Sequence, residues 1–264
     1  MSKQTDIGLF ITPPHPCSYL PEKSARMLFV DPSLTVSGGL MSELSRQGYR
    51  RSGNYLYRPE CKHCAQCLSL RIPVAQFKPG RTQRKIINKN ADLTQRLVPS
   101  NKARAAHYRL YERYINQRHV DGDMYPPSQD QFAKFLMHGF EQSFFMEFWL
   151  GSQLVGVAVI DVLDDGLSAV YSFYNPALNS RSLGTYMIMA QIDWLKRIKK
   201  THLYLGYWVP DAPKMRYKSR FTPFELFSPG GDWQWFEQAP TAAQIHQITQ
   251  RRSEPQVFFS STES

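Results

Sequence analysis

The segment "SFFMEFWLGSQLVGVAVIDVLDDGLSAVYSFYN" constrains this chain most: three apolar runs of strand length, two broken only by the turn sequences Gly-Ser-Gln and Asp-Asp-Gly. β-branched and aromatic residues dominate the runs, and the connections are too short for anything but antiparallel neighbours, so they predict a meander of three strands. After "NPALNSRS" the period changes. Met187, Ile188, Gln191, Trp194, Leu195 and Ile198 recur at helical spacing and predict a helix over residues 183–199. "THLYLGYWV" then reads as a strand, "PKMRYKSRF" as a short basic helix and "PFELF" as a final strand. Hairpin strands, a helix and a returning strand describe a mixed sheet with helices on its faces.

That order is the one found in the N-acetyltransferase-like acyl-transfer fold. Such enzymes hold a pyrophosphate on backbone N–H groups at a helix N-terminus, in a loop of the form R/Q-x-x-G-x-G/A. The corresponding residues here are Arg181, Ser182, Leu183, Gly184, Thr185 and Tyr186. Tyrosine at the last anchor crowds the approach of a pyrophosphate and weakens the case for acetyl-CoA. Upstream, two further helices are expected, over residues 100–117 with Ser100 as cap and from Ser128, whose capping-box partner is Gln131, to 138–139. The first hundred residues, with turn signals at "TPPHP", "SGG", "RSGN" and "KPG", read as short strands with one helix over 41–47. The whole is an α+β protein: a small N-terminal α/β lobe carrying the cysteines over 1–100, the mixed-sheet lobe over 101–255, and a polar, disordered tail over 256–264.

Charge is distributed unevenly. Residues 71–104 carry nine Lys or Arg against one acid and residues 196–220 eight against one, whereas residues 121–175 carry eight acids against one Lys. Two basic segments about an acidic middle, in a chain of net charge +10, suggest one face for a polyanion. A solvated basic surface without a partner is the plainer alternative. No apolar stretch approaches the roughly 18 residues that cross a bilayer, and four cysteines in 264 residues fit a reducing compartment, so a cytoplasmic protein with no membrane partner is expected.

The segments "GYRRSGNYLYRPEC", "RSLGTYMI" and "YLGYWVPDAPKMRYKSRFTPFEL", with the early "CSYLP", together resemble the aminoacyl-tRNA–protein transferases. Within them the likeness is to the bacterial branch, the aspartate/glutamate leucyltransferases, and it runs from about residue 17 to residue 233. The resemblance implies transfer of leucine from leucyl-tRNA to the α-amine of proteins beginning with Asp or Glu, which marks them for degradation by the N-degron pathway. An arginine-transferring sister enzyme and a non-catalytic RNA-binding module on the same scaffold are the rival readings. Chemistry makes the first sensible. The donor is a polyanion and its ester is already activated, and no G-x-x-x-x-G-K-[ST] phosphate loop is present.

The attacking α-amine has an ordinary pKa of about 7.7 to 8.0, so a strong base is optional, and the protein must chiefly align the reactants and stabilise the tetrahedral oxyanion. Asp161, Tyr171, Tyr174 and the backbone N–H groups of Leu183 and Gly184 are the candidates for that work. Packing and capping are the bland alternatives for each. Arg50 and Arg51 are the candidates for the acceptor's carboxylate, because guanidinium offers a two-pronged partner. For the tRNA, Lys78, Arg81, Arg84, Lys85 and Lys89 form one patch and Lys214, Arg216, Lys218 and Arg220 another, with Phe77, Tyr217 and Phe221 available to stack on bases.

Cys61, Cys64 and Cys67 give C-x2-C-x2-C, and Cys17 supplies a fourth thiol. Four thiolates suit zinc or an iron–sulfur cluster, if the fold gathers them. The resemblance adds that the arginine-transferring relatives use N-terminal cysteines for such a group. This chain departs from their pattern of a cysteine pair at the start and an adjacent pair later, since Cys17 is followed by "SYL" and the later group is a spaced triplet, so reduced thiols in a packed lobe are the competing reading and transfer itself requires no cofactor. "RHVDGDM", with His119, Asp121 and Asp123 at alternate positions, reads as an Asp-Gly turn between helices.

Overall fold

A computed structural model of the protein describes residues 7–250 apart from 123, 138 and 230. Its first part builds strands β1 (Leu9–Ile11), β2 (His15–Pro16), β3 (Ser24–Ala25) and β4 (Met27–Val30), helix α1 (Gly38–Arg46), then β5 (Arg50–Ser52) and β6 (Tyr55–Pro59). Four of these strands form an antiparallel sheet in the order β1-β4-β6-β5. Alternation sends Leu28, Val30 and Leu56 to one face, where Met41 and Leu44 of α1 close a small core that also takes in Leu163 and Tyr204. Ser37 starts α1 by accepting a hydrogen bond from the Leu40 N–H (3.2 Å).

The second part continues with β7 (Leu68–Pro73), α2 (Arg81–Lys89), β8 (Leu93–Pro99), α3 (Ala105–Arg118), α4 (Gln129–Phe132), β9 (Ser143–Leu150), β10 (Gln153–Val162) and β11 (Gly166–Tyr174). It ends with α5 (Leu183–Arg197), β12 (His202–Trp208), β13 (Phe224–Phe227), β14 (Trp233–Phe236) and α6 (Ala242–Gln250). Eight strands make one sheet in the order β14-β13-β7-β12-β11-β10-β9-β8. The protein is α+β and the sheet is mixed. β11 and β12 are parallel and joined by α5, because a parallel neighbour needs a crossover; the other neighbours are antiparallel.

The meander forms as the sequence predicts. In β10 the period of two splits the apolar run between two cores: Ala158 and Ile160 meet the core under α5, which Val155 joins across the register shift at Gly156, while Val157 and Val159 meet Leu110, Tyr111 and Ile115 of α3. A run buried on both faces therefore reads as continuously apolar. Strands β7 and β8, which precede residue 100, are members of the eight-stranded sheet.

Differences from expectation are local. The helix expected from residue 100 starts at Ala105, since the Ser100 hydroxyl bonds the Met137 carbonyl (3.2 Å) and the His107 ring takes the Arg104 N–H (2.8 Å). Ser128 does cap its helix, accepting from the Gln131 N–H (3.1 Å), but after four residues the chain widens into a π turn over Ala133–Met137. Residue 138, at its expected end, lies outside the described residues, as does the tail over 256–264. The basic helix near residue 216 is a 3-10 helix, Pro213–Arg220. Among the described residues no helix is long and apolar enough to cross a membrane.

Candidate functional site

β11 and β12 pair over only three positions, from Gly166 opposite His202 to Ser168 opposite Tyr204. Beyond them the ladder between the two strands ends. β12 bulges there against β7, its register shifting between Tyr204 and Gly206, with Gly206 at φ +72°. Carbonyls that a ladder would have satisfied need other donors. On the β11 side Arg50 Nη2 donates to the carbonyls of Ala169 (3.0 Å) and Val170 (3.3 Å). On the β12 side Lys218 Nζ donates to those of Leu205 (2.9 Å) and Tyr207. A side chain at position 206 would place its Cβ 1.7 Å from Arg50 Nη1, so glycine is required for space as well as for backbone. The parted strands enclose a cleft of about 580 Å³.

One wall of the cleft is the start of α5. Ser182 enters the helix in the left-handed region (φ 52°) and makes no side-chain cap, so the first-turn N–H groups at Leu183 and Gly184 lack intrahelical acceptors. Gly184 lies so close to Tyr174 that an added Cβ would come within 3.3 Å of its ring. Leu183, Ile188 and Leu205 give this wall an apolar surface.

The electrostatics are one-sided. Arg50, Arg118, His119, Lys214 and Lys218 line the cleft, and among the described residues lining it there is no Asp or Glu. Lys214 pairs at the surface with Asp121 (3.1 Å), and Arg118 donates to Asn179. Lys218 is buried with only carbonyls as partners, and burial, reinforced by the Arg50 charge, pulls its pKa well below the ordinary lysine value. Burial also lowers His119, helped by Lys214, whereas it raises Tyr114 and Tyr171 far above the usual phenol. The Tyr171 hydroxyl is buried and without a hydrogen-bond partner among the described residues.

The structure thus brings Arg50, Tyr171, Tyr174, Leu183, Gly184, Lys214 and Lys218 together. It takes two expected residues elsewhere. Arg50 and Arg51 are consecutive on a strand and point to opposite faces, so Arg51 enters the core and meets Asp161 in a two-pronged ion pair (2.8 and 2.9 Å). Ser143 also donates to Asp161 (2.6 Å), and both ion-pair side chains are at most 1% exposed. Neither Asp161 nor Arg51 lines the cleft, and each spends its charge on the other. Lys218, expected to meet tRNA, is buried with its amine on the cleft floor for the reason given above. Arg181, first in the expected pyrophosphate loop, is held by Asp92 (2.7 and 2.8 Å).

The basic segments adjoin. Gln83 Nε2 of α2 donates to the Arg220 carbonyl (3.1 Å), and Phe77 packs against Phe221 at 6.2 Å between ring centres. Lys78, Arg81, Arg84, Lys85 and Lys89 lie at the surface, as do Lys214, Arg216 and Arg220. Phe77 and Phe221 are buried at 3% and 1%, which removes them as base-stacking surfaces; Tyr217 stays exposed at the cleft. Sequence reasoning missed Tyr114, Arg118 and Asn179, which come from α3 and the turn before α5 and carry no local signal. His119 and Asp121 lie in the expected turn, and Asp123 lies outside the described residues.

Cys17, Cys61, Cys64 and Cys67 line a second cavity, of about 520 Å³. Burial, with the other three thiols adding to it, pushes Cys67 up to about 12. A resident metal would need thiolates gathered at about 2.3 Å around one point. Among the described residues no three His, Cys, Asp or Glu are placed to hold a metal ion. The four thiols share the cavity without forming such a group, and no step below passes through a metal or cluster.

Two family models match the chain: "Arginine-tRNA-protein transferase, N terminus" over residues 15–85 and "Arginine-tRNA-protein transferase, C terminus" over residues 106–228. A protein of Acinetobacter baumannii named aspartate/glutamate leucyltransferase is 51% identical over 92% of this chain and 89% of its own. One of the same name from Marinobacter nauticus is 49% identical over 87% and 97%, and one from Pseudomonas aeruginosa 49% over 86% and 96%. Among solved structures, L-PGS from Bacillus licheniformis gives a TM-score of 0.43 at 12% identity, over 63% of this chain and 49% of that one, too distant a likeness to argue from.

Proposed function

The chain belongs to the arginine-tRNA–protein transferase family, and from that premise we propose that it transfers leucine from leucyl-tRNA to the α-amine of proteins beginning with Asp or Glu. It is an aminoacyltransferase. The observation that carries the choice of leucine is the cleft between β11 and β12, with cations, an apolar wall and no lining carboxylate among the described residues. A leucyl side chain suits the wall of Leu183, Ile188 and Leu205, whereas an arginyl side chain would lie among Arg50, Lys214 and Lys218, and none of the described residues lining the cleft is an acid. The same cations suit an acidic side chain on the acceptor.

In this reading Arg50 is central. Its Nη2 is committed to two strand carbonyls, which fix the guanidinium, while Nε and Nη1 make no hydrogen bond among the described residues. They are the donors for the acceptor carboxylate. Leucine's ester carbonyl lies toward the α5 N-terminus, where the N–H groups of Leu183 and Gly184 receive the oxyanion as the neutral amine attacks. Collapse breaks the ester C–O bond, forms the amide and sends the amine proton to the departing ribose oxygen. Tyr171 and Tyr174 border the reacting atoms, and the raised pKa of Tyr171 keeps its hydroxyl a hydrogen-bond donor at cellular pH. Asp161 and Arg51 act in support, fixing β5 to β10 and so aiming Arg50. The exposed cations of α2 and of Pro213–Arg220 form one surface for the tRNA body.

The protein is placed in the cytoplasm, where its donor and acceptors occur, with its products passing to proteolysis. Transfer needs no cofactor. The assay that tests this uses purified protein, labelled leucyl-tRNA and peptides differing only in an N-terminal Asp, Glu, Asn or Lys. Label is expected on the Asp and Glu peptides alone; equal labelling of all four would remove the role given to the cleft cations.

A further inference from the structure

The face of the four-stranded sheet opposite its core is aromatic. Phe10 on β1 stands across from Phe29 on β4, which stands across from Tyr57 on β6. Tyr55, two residues back on β6, shares that face, and its ring lies 6.1 Å from that of Phe29; Phe29 and Tyr57 are 5.7 Å apart. Phe10 and Tyr55 are 56% and 53% exposed, an expensive arrangement for residues the core does not need. The row has a direction. Tyr57 lies 6.2 Å from the buried ring of Tyr207, and these two tyrosines line the cavity of the four cysteines. Arg50, paired with Tyr57 across β5 and β6, shares the face and also lines the cleft, so that end of the row adjoins the cleft through Arg50.

We propose that this row is a stacking track for the unpaired 3′ end of the donor RNA, leading its terminal ester into the cleft. The inference rests on the reading of the cleft as the transfer site. A chain that runs from the row past Arg50 into the cleft is, in that reading, either the nucleotides preceding the ester or the residues following the acceptor's first. Rings on adjacent strands of an open sheet face are how sheet-based RNA-binding domains hold two or three bases, strand by strand. Bases always present a flat π face, whereas acceptor proteins have nothing in common beyond their first residue, so a fixed aromatic surface suits the constant substrate. The chain's net charge of +10 favours the polyanion over a general peptide surface.

The test uses the full-length protein and an uncharged RNA hairpin with a four-nucleotide 3′ overhang carrying 2-aminopurine, beside a blunt hairpin of the same stem. Overhang affinity and 2-aminopurine quenching are measured for the wild type, for Phe10→Ala with Tyr55→Ala, and for Phe10→Trp with Tyr55→Phe, which keeps the rings. Both side chains are mostly in water, so circular dichroism melts should match. The alanine pair is expected to lose roughly tenfold in overhang affinity per ring, with quenching lost, blunt-hairpin affinity unchanged and the ring-keeping pair near wild type. In transfer assays its KM for leucyl-tRNA rises while its KM for the peptide does not. Unchanged overhang binding in the alanine pair overturns the track, and a raised peptide KM beside it assigns the face to the acceptor polypeptide. A wild type that quenches the overhang probe but moves no leucine would instead sink the transfer reading and leave the track standing.

Discussion

At the scale of the residue, Arg50 and Arg51 show how one step along a strand decides a role. Arg50→Ala leaves two carbonyls facing an open cleft, so the fold should survive and transfer should fall by at least about a hundredfold, the scale of a buried charge-assisted pair. Arg51→Ala strands Asp161 in the core, at a cost of about 3 to 5 kcal/mol, and should lower the thermal midpoint sharply. Thermal melts beside initial transfer rates check both; a stable, inactive Arg51→Ala would contradict the division. Lys218 carries a pH signature. Its folded pKa lies below its unfolded one, so between the two values the unfolded chain binds the extra proton and folding is penalised. The stability of the wild type should therefore rise as pH climbs from the folded value toward about 10.4, the ordinary lysine pKa, and fall again on acidification. Denaturant titrations between neutral and alkaline pH should show that rise weakened in Lys218→Met. The alternation that sends Arg50 and Arg51 to opposite faces is legible in the sequence. Which face holds Asp161, 110 positions away, is not, because only the packed sheet brings them together.

At the scale of the element, the site exists because two parallel strands part. The meander, the crossover helix and the returning strand were legible, since period-two runs between short turns leave few alternatives. The parting itself was not: it follows from a bulge at Gly206 and from cations delivered by β5 and by a 3-10 helix. Strand β8, with an exposed face rich in polar residues, and the terminal β14 and α6 were unread for the opposite reason, as weak patterns stabilised by their neighbours. Helix α2 buries none of its residues and presents its cations to water. Replacing Arg81, Arg84 and Lys85 together by Glu should weaken tRNA binding and flatten its dependence on log salt by about 0.7 to 0.9 for each phosphate that the helix no longer neutralises. Filter binding over a salt series reads this, and an unchanged slope would take α2 out of the RNA surface.

At the scale of the molecule, two sheets share one task. The eight-stranded sheet supplies the cleft, but Arg50 reaches it from the four-stranded sheet, and β7 runs from the N-terminal part into the middle of the larger sheet between β12 and β13. The basic segments, far apart in sequence, adjoin beside that cleft, which is how a chain with an acidic middle can present one face to RNA. The sequence motifs pointed to the family and its donor; in the proposed reading the cleft adds a physical reason, since cations, an apolar wall and no carboxylate among the described lining residues disfavour arginine. The most direct test is a competition between leucyl-tRNA and arginyl-tRNA for one Asp-initiated peptide, read as the ratio of kcat/KM values. A preference for leucine of at least about a hundredfold, near 2.7 kcal/mol, is predicted. Equal use of the two donors, or a preference for arginine, would contradict it.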